Sequence, residues 1–227
     1  MPKRFNPGAN TAGSELERLR ARPAESGKAI PEDRILDAAA DALLAHGLER
    51  VTMADIATRA GVARATLYRR WENVRSVVAA LLTREWSAVA TGATDPTTGP
   101  PGTGRARLVA GVVSTIATIR AHPLHRAIVE SDPEFLVPYV FQRMGRSSAH
   151  MLRVLEEGLV QGHEDGSVRR LEIALQARTV LLLAWSFAVT APAVTGSTTG
   201  SGAALEALDA QLTEALDRYL APESPKD

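Results

Sequence analysis

Apolar residues first recur at helical spacing at Ile35, Leu36, Ala39, Ala40, Leu43 and Leu44, so one face of a helix is to be buried there. Pro31, Glu32 and Asp33 supply a good start for it, and Gly47 a stop. Thr52 followed by Asp55 has the form of a capping box, and Ile56, Ala57 and Ala60 then face inward before Gly61 ends a short second helix. Ala63 to Trp71 predicts a third, with Leu67 and Trp71 on one side. Asn73 is placed to cap a fourth, whose stripe is Val74, Val77, Val78, Leu81 and Leu82 and which links onward to about residue 90.

The stretch 91–104 is too rich in Gly and Pro to stay helical. Beyond it the period returns: Arg105 to Arg120, Leu124 to Glu130, Pro133 to about Gly162, Leu171 to about Thr190, and Ala203 to Leu220. No segment alternates with period two. The pattern predicts an all-α protein of about nine helices: a head over 30–83, a body over 104–221, and a Gly, Thr and Ser-rich loop over 192–202. Residues 1–29 show no sustained apolar period and read as a disordered extension. It carries more basic than acidic side chains, either as a solvated tail or as an arm touching DNA.

Composition narrows the classes. Hydrophobic residues make up 45% and charged residues 23%, the balance of an ordinary globular chain. With no cysteine, disulfides, thiolate metal sites and cysteine nucleophiles are excluded. The apolar core of the Leu171 to Thr190 segment is about ten residues long, against roughly 20 for a membrane span, so a cytoplasmic protein without a membrane partner is expected. The zero net charge conceals an asymmetry: residues 1–83 hold 13 Lys and Arg against 10 Asp and Glu, and the remainder 13 against 16.

The chemistry follows from two short helices joined at a glycine. The second helix of such a pair can enter the major groove, about 12 Å wide, and read base edges with its first residues. Arg59, Arg64, Arg69, Arg70 and Arg75 fall within seventeen residues, opposed by Glu72 alone. Ala65 permits close approach, Thr66 offers a hydroxyl and a methyl, and Tyr68 a ring and a phenol. The arginines could equally be a solvated face; the capped helix, the Gly61 turn and the hydroxyls among them favour double-stranded DNA.

Arg34-Ile-Leu-Asp-Ala-Ala, then Gly47, then Val51-Thr-Met-Ala-Asp-Ile-Ala, then Ala60-Gly-Val-Ala-Arg-Ala-Thr-Leu-Tyr-Arg-Arg-Trp71 together resemble the tetracycline-repressor (TetR) family over about fifty residues. The resemblance implies an all-α homodimer with an N-terminal DNA-binding head and a C-terminal ligand-binding body, which leaves a palindromic operator when a small molecule binds. It implies Thr52, Arg64, Ala65, Thr66, Tyr68, Arg69 and Arg70 as DNA-facing residues, and Trp71 in place of the usual Phe; Arg75 is read from the sequence as an outlying contact, with Arg75 or Asn73 as the substitute for the family's Lys at the start of the fourth helix. Ala63 and Val74 depart from the pattern, where a Ser and a Lys are common.

For a ligand in the body, Ile116, Arg120, Phe135, Tyr139, Arg143, Met144 and Trp185 are the candidates, with ordinary core packing as the alternative. The helices 171–190 and 203–220 are expected to pair with those of a second copy, or else to pack within one subunit. No metal or cofactor is expected: His122 and His125 offer only two imidazoles, with Pro123 between them. Nor is an enzyme expected, since no phosphate loop, HExxH, GxSxG or paired-carboxylate constellation is present. An activator or architectural protein without small-molecule input is the competing reading.

Overall fold

Ten α-helices and one short 3-10 turn follow one another among the described residues, with no strand between them. The computed structural model describes residues 32–93, 102–136, 146–197 and 202–223. The extension over 1–29 and the candidates Tyr139, Arg143 and Met144 lie outside them. From Asp33 onward the helices belong to one compact unit.

The first four helices are α1 (Glu32–His46), α2 (Met53–Ala60), α3 (Arg64–Tyr68) and α4 (Val74–Ala93). Most of each predicted stripe is buried: Ile35, Ala39 and Leu43 on α1, Ile56 and Ala57 on α2, Leu67 on α3, Val77, Val78 and Leu81 on α4; Leu44, expected inward on α1, is instead 51% exposed. Arg84 ties α4 back to α1, its Nη2 2.8 Å from Asp37 and 2.7 Å from Glu85. The expected nine-residue third helix is corrected to five residues. The Leu67 carbonyl accepts from both Arg70 and Trp71 N–H at 2.9 Å, which tightens the last turn and swings Trp71 into the core.

The others are α5 (Gly104–Ala121), α6 (Pro123–Ser131), the 3-10 turn Pro133–Leu136, α7 (Arg146–Glu164), α8 (Ile173–Val189), α9 (Ala191–Thr195) and α10 (Ala203–Leu220). The helix expected from Pro133 is corrected at its start, where the Asp132 carboxylate accepts from the Phe135 N–H at 3.1 Å and closes a tighter turn. α9 was expected as loop; Pro192 sits in its first turn, where a missing N–H costs nothing.

α5 packs against α4, α7, α8 and α10, which is why apolar side chains surround it rather than forming one stripe. Leu108, Val112 and Ile116 of α5 meet Leu155 and Leu159 of α7, Val180 of α8, and Leu212 and Leu216 of α10. Near its N-terminus α5 crosses α7 at backbone contact: a Cβ on Gly104 would stand 2.6 Å from the Gly162 nitrogen. Asp165 locks this crossing, accepting from Gly104 N–H at 2.6 Å and Ser167 N–H at 2.9 Å. Hydrogen bonds from Ser167 and Gly104 lower its carboxyl pKa to about 2.

Candidate nucleic-acid interface and ligand cavity

The helix pair that carries the basic residues is fixed at three points. Asp55 N–H donates to Thr52 Oγ1 at 3.2 Å and Thr52 N–H to Asp55 Oδ2 at 3.0 Å, a reciprocal capping box that starts α2. The Thr52 hydroxyl, donating to Asp55 Oδ2 at 2.6 Å, and then the Thr52 N–H hold the Asp55 carboxyl below its ordinary pKa. Gly61 ends α2 at φ +66°, the left-handed conformation that a Cβ would strain, and the chain then turns into α3. Ala57 is 2% exposed beneath that turn, its carbonyl accepting from Val62 N–H at 2.9 Å.

This geometry puts Leu67 inward and leaves Arg64, Ala65, Tyr68, Arg69 and Arg70 outward on one short helix and its final turn. Tyr68 is 57% exposed, a large apolar ring held in water. Thr66 is half-buried, and Thr52 is exposed at the start of α2. Arg59, also basic in sequence, points instead to His46, with its Nη2 2.9 Å from Nε2.

The body contains an apolar cavity of about 50 Å³, partly open, between α4, α5, α7 and α8. Its wall includes Ala90, Gly111, Ile116, Met151, Ala184 and Trp185. Of the sequence candidates, Ile116 and Trp185 meet here. Phe135 does not: it is buried in the 3-10 turn with the Arg75 guanidinium 5.6 Å above its ring. Arg120 is buried next to the cavity without lining it. Gly111, Ala184 and Ala90 were missed because small residues signal space only once the facing helix is known.

The family model for bacterial regulatory proteins, tetR family, matches residues 35–81, which span α1 to α4. An uncharacterized HTH-type transcriptional regulator of Mycobacterium tuberculosis is 35% identical over 187 residues, covering 82% of this chain and 93% of the relative. The chain belongs to the tetR family. It is a helix-turn-helix transcriptional regulator. Two solved tetR-like folds are similar in structure. The TetR family repressor AlkX of Dietzia, implicated in biodegradation of n-alkanes, superposes with a TM-score of 0.61 at 24% identity, over 83% of this chain and 94% of its own. The regulator FadR of Bacillus subtilis, in complex with stearoyl-CoA, gives 0.58 at 18%, over 84% and 100%. At such identities they speak for the fold.

Within this tetR-family head, Ala63 and Val74 each stand at a helix start, Val74 as the half-buried first residue of α4. Ala63 stands at the N-cap of α3 and offers no side-chain hydrogen bond to it. Asn73 caps α4 reciprocally with Ser76, its Oδ1 accepting from Ser76 N–H at 2.9 Å. Arg75 forms an ion pair with Asp132, so its guanidinium faces the 3-10 turn. Beside it, Leu48 N–H donates to Ser131 Oγ at 3.3 Å, giving the head a second hold on the end of α6. No helix among the described residues is long and apolar enough to cross a membrane.

Proposed function

We propose that this regulator is a repressor that binds a palindromic operator as a homodimer and lets go when a small apolar ligand enters the body. The observation that carries the reading is the position of α4. It begins directly after the recognition turn and, at Ala90, forms part of the cavity wall. A ligand that widens the cavity therefore displaces the helix that holds the head. At about 50 Å³ the cavity admits only a few atoms as it stands, so binding and displacement are coupled. AlkX, implicated in biodegradation of n-alkanes, and FadR, in complex with stearoyl-CoA, support an apolar ligand class.

In this reading the head spans 30–83 and the body 104–221, and Thr52, Arg64, Ala65, Thr66, Tyr68, Arg69 and Arg70 face DNA. Dimerisation is assigned to the segments 171–190 and 203–220. Leu175 and Leu182 support it, since they are 55% and 71% exposed on α8. Two heads would then sit about 34–36 Å apart, on successive turns of the groove. Such a protein acts where the chromosome is, in the cytoplasm.

The test is genomic footprinting of the purified protein, followed by operator release measured across a panel of metabolites. An inverted-repeat footprint released by an apolar compound supports the reading. A footprint that no compound releases favours the activator or architectural alternative.

A further inference from the structure

One turn beyond the cavity lies a buried ion pair. Arg120 is 2% exposed and sits four residues after the lining residue Ile116, on the same face of α5. Its Nη2 donates to Asp209 Oδ2 of α10 at 2.5 Å and its Nη1 to the Phe187 carbonyl at 3.4 Å. Phe187 in turn precedes the lining residue Ala188 on α8. Arg120 Nε and Asp209 Oδ1 are both buried and have no hydrogen-bond partner.

A buried ion pair recovers its desolvation cost only when its remaining donors and acceptors are satisfied. Packed apolar side chains in the same space are often as stable or more so. This pair therefore leaves one unused donor and one unused acceptor buried behind the cavity wall, one turn of α5 from Ile116, where a ligand that widens the cavity can reach them. We propose that Arg120 and Asp209 are the polar anchor of the cavity, which takes a ligand with a hydrocarbon body and an uncharged head, a hydroxyl or primary carboxamide, that both accepts and donates a hydrogen bond.

The inference rests on the cavity being the ligand site and adds the chemistry of its ligand. The head oxygen accepts from Arg120 Nε–H, and the head O–H or N–H donates to Asp209 Oδ1. Because Asp209 already neutralises the guanidinium, a carboxylate head would be repelled by Oδ1. An ammonium head would meet the guanidinium, and a plain hydrocarbon would leave both atoms unpaired.

The experiment is isothermal titration calorimetry of the full chain with 1-hexanol, hexanamide, hexanoate, hexylamine and hexane. Hexanol and hexanamide are expected to bind at least about tenfold more tightly than the other three, the worth of a buried polar pairing. Arg120→Met alone leaves Asp209 buried and uncompensated, so the double variant Arg120→Met, Asp209→Leu is the informative one. It should keep hexane binding and lose the preference for hexanol. Equal binding of hexane and hexanol by the natural protein, a preference for hexanoate, or an unchanged preference in the double variant overturns the proposal; so does binding by none of the five. Ala184→Phe, which fills the cavity, separates the two ideas. If it leaves hexanol binding intact, the cavity is not the ligand site and that reading fails first.

Discussion

The guanidinium of Arg75, at the start of α4, is ion-paired with Asp132 at the end of α6 and lies over the Phe135 ring. A side chain that sequence spacing assigns to a DNA phosphate is thus engaged within the molecule, between the head and the turn that follows α6. Asp132→Asn should release it. If Arg75 reaches DNA once freed, operator binding strengthens at low salt and the slope of log affinity against log salt steepens by about one. An unchanged slope restricts Arg75 to the junction, where Arg75→Ala should cost about 0.5–1.5 kcal/mol in a denaturant melt.

Tyr68 and Arg69 are exposed and outside the core, so removing them separates binding from folding. The Tyr68→Ala, Arg69→Ala double variant should melt as the natural protein does yet bind operator roughly 10–1,000-fold more weakly. Leu67→Ala, immediately before them and 0% exposed, should instead destabilise the fold by about 2–5 kcal/mol. Normal operator binding by the double variant would remove α3 from the groove.

His125 is packed against the Trp86 ring, centroid to centroid 6.2 Å, and burial, with the nearby charges of His122 and Arg120, lowers its pKa to about 4. The unfolded chain takes up its proton near the ordinary value of 6.5, before the folded chain does. Stability should therefore fall as pH drops from about 6.5 towards about 4, by up to about 3 kcal/mol for this residue. Urea melts of His125→Phe across that window should show a shallower fall; an identical one would assign the acid sensitivity elsewhere.

Asp165 acts in the same direction in a more acidic window. Its folded pKa of about 2 lies below the ordinary 3.8, so its contribution is present above about 3.8 and disappears as pH falls through about 2. The difference in stability between Asp165→Asn and the natural protein should shrink across that interval. Gly104→Ala, at the same crossing, should destabilise by about 1–3 kcal/mol, because its methyl meets backbone rather than a side chain that could turn aside. A stable Gly104→Ala protein would show that the two helices can part there at little cost.

Helix identities and the capped helix-turn-helix were legible because they are local. Thr52 with Asp55, Gly61, and the stripe from Ile35 to Leu43 specify their geometry within a few residues. What escaped depended on distant partners. Nothing near Arg75 in sequence announces Asp132, and nothing near Phe135 announces that an arginine would cover it. The cavity shows both cases: Trp185 and Ile116 were visible as large apolar groups, whereas Gly111 and Ala184 matter through the volume they leave unfilled. Periodicity carries on through a tight final turn, so Ala63 to Trp71 reads in sequence as a longer helix than the five residues that form it.

The crossing of Gly104 and Gly162 has a mechanical consequence. Pinned there by Asp165, α5 has a fulcrum at one end, and Arg120 lies sixteen residues away, about 24 Å along the axis. Any splaying forced near Gly111 to Ile119 grows with distance from that fulcrum, towards the end that Arg120 ties to α10. That end runs straight into α6, whose far end carries Ser131 and Asp132 to the head. In the proposed switch, a ligand wedged beside Ile116 would act on the grip of Ser131 and Asp132 on Leu48 and Arg75 through that end.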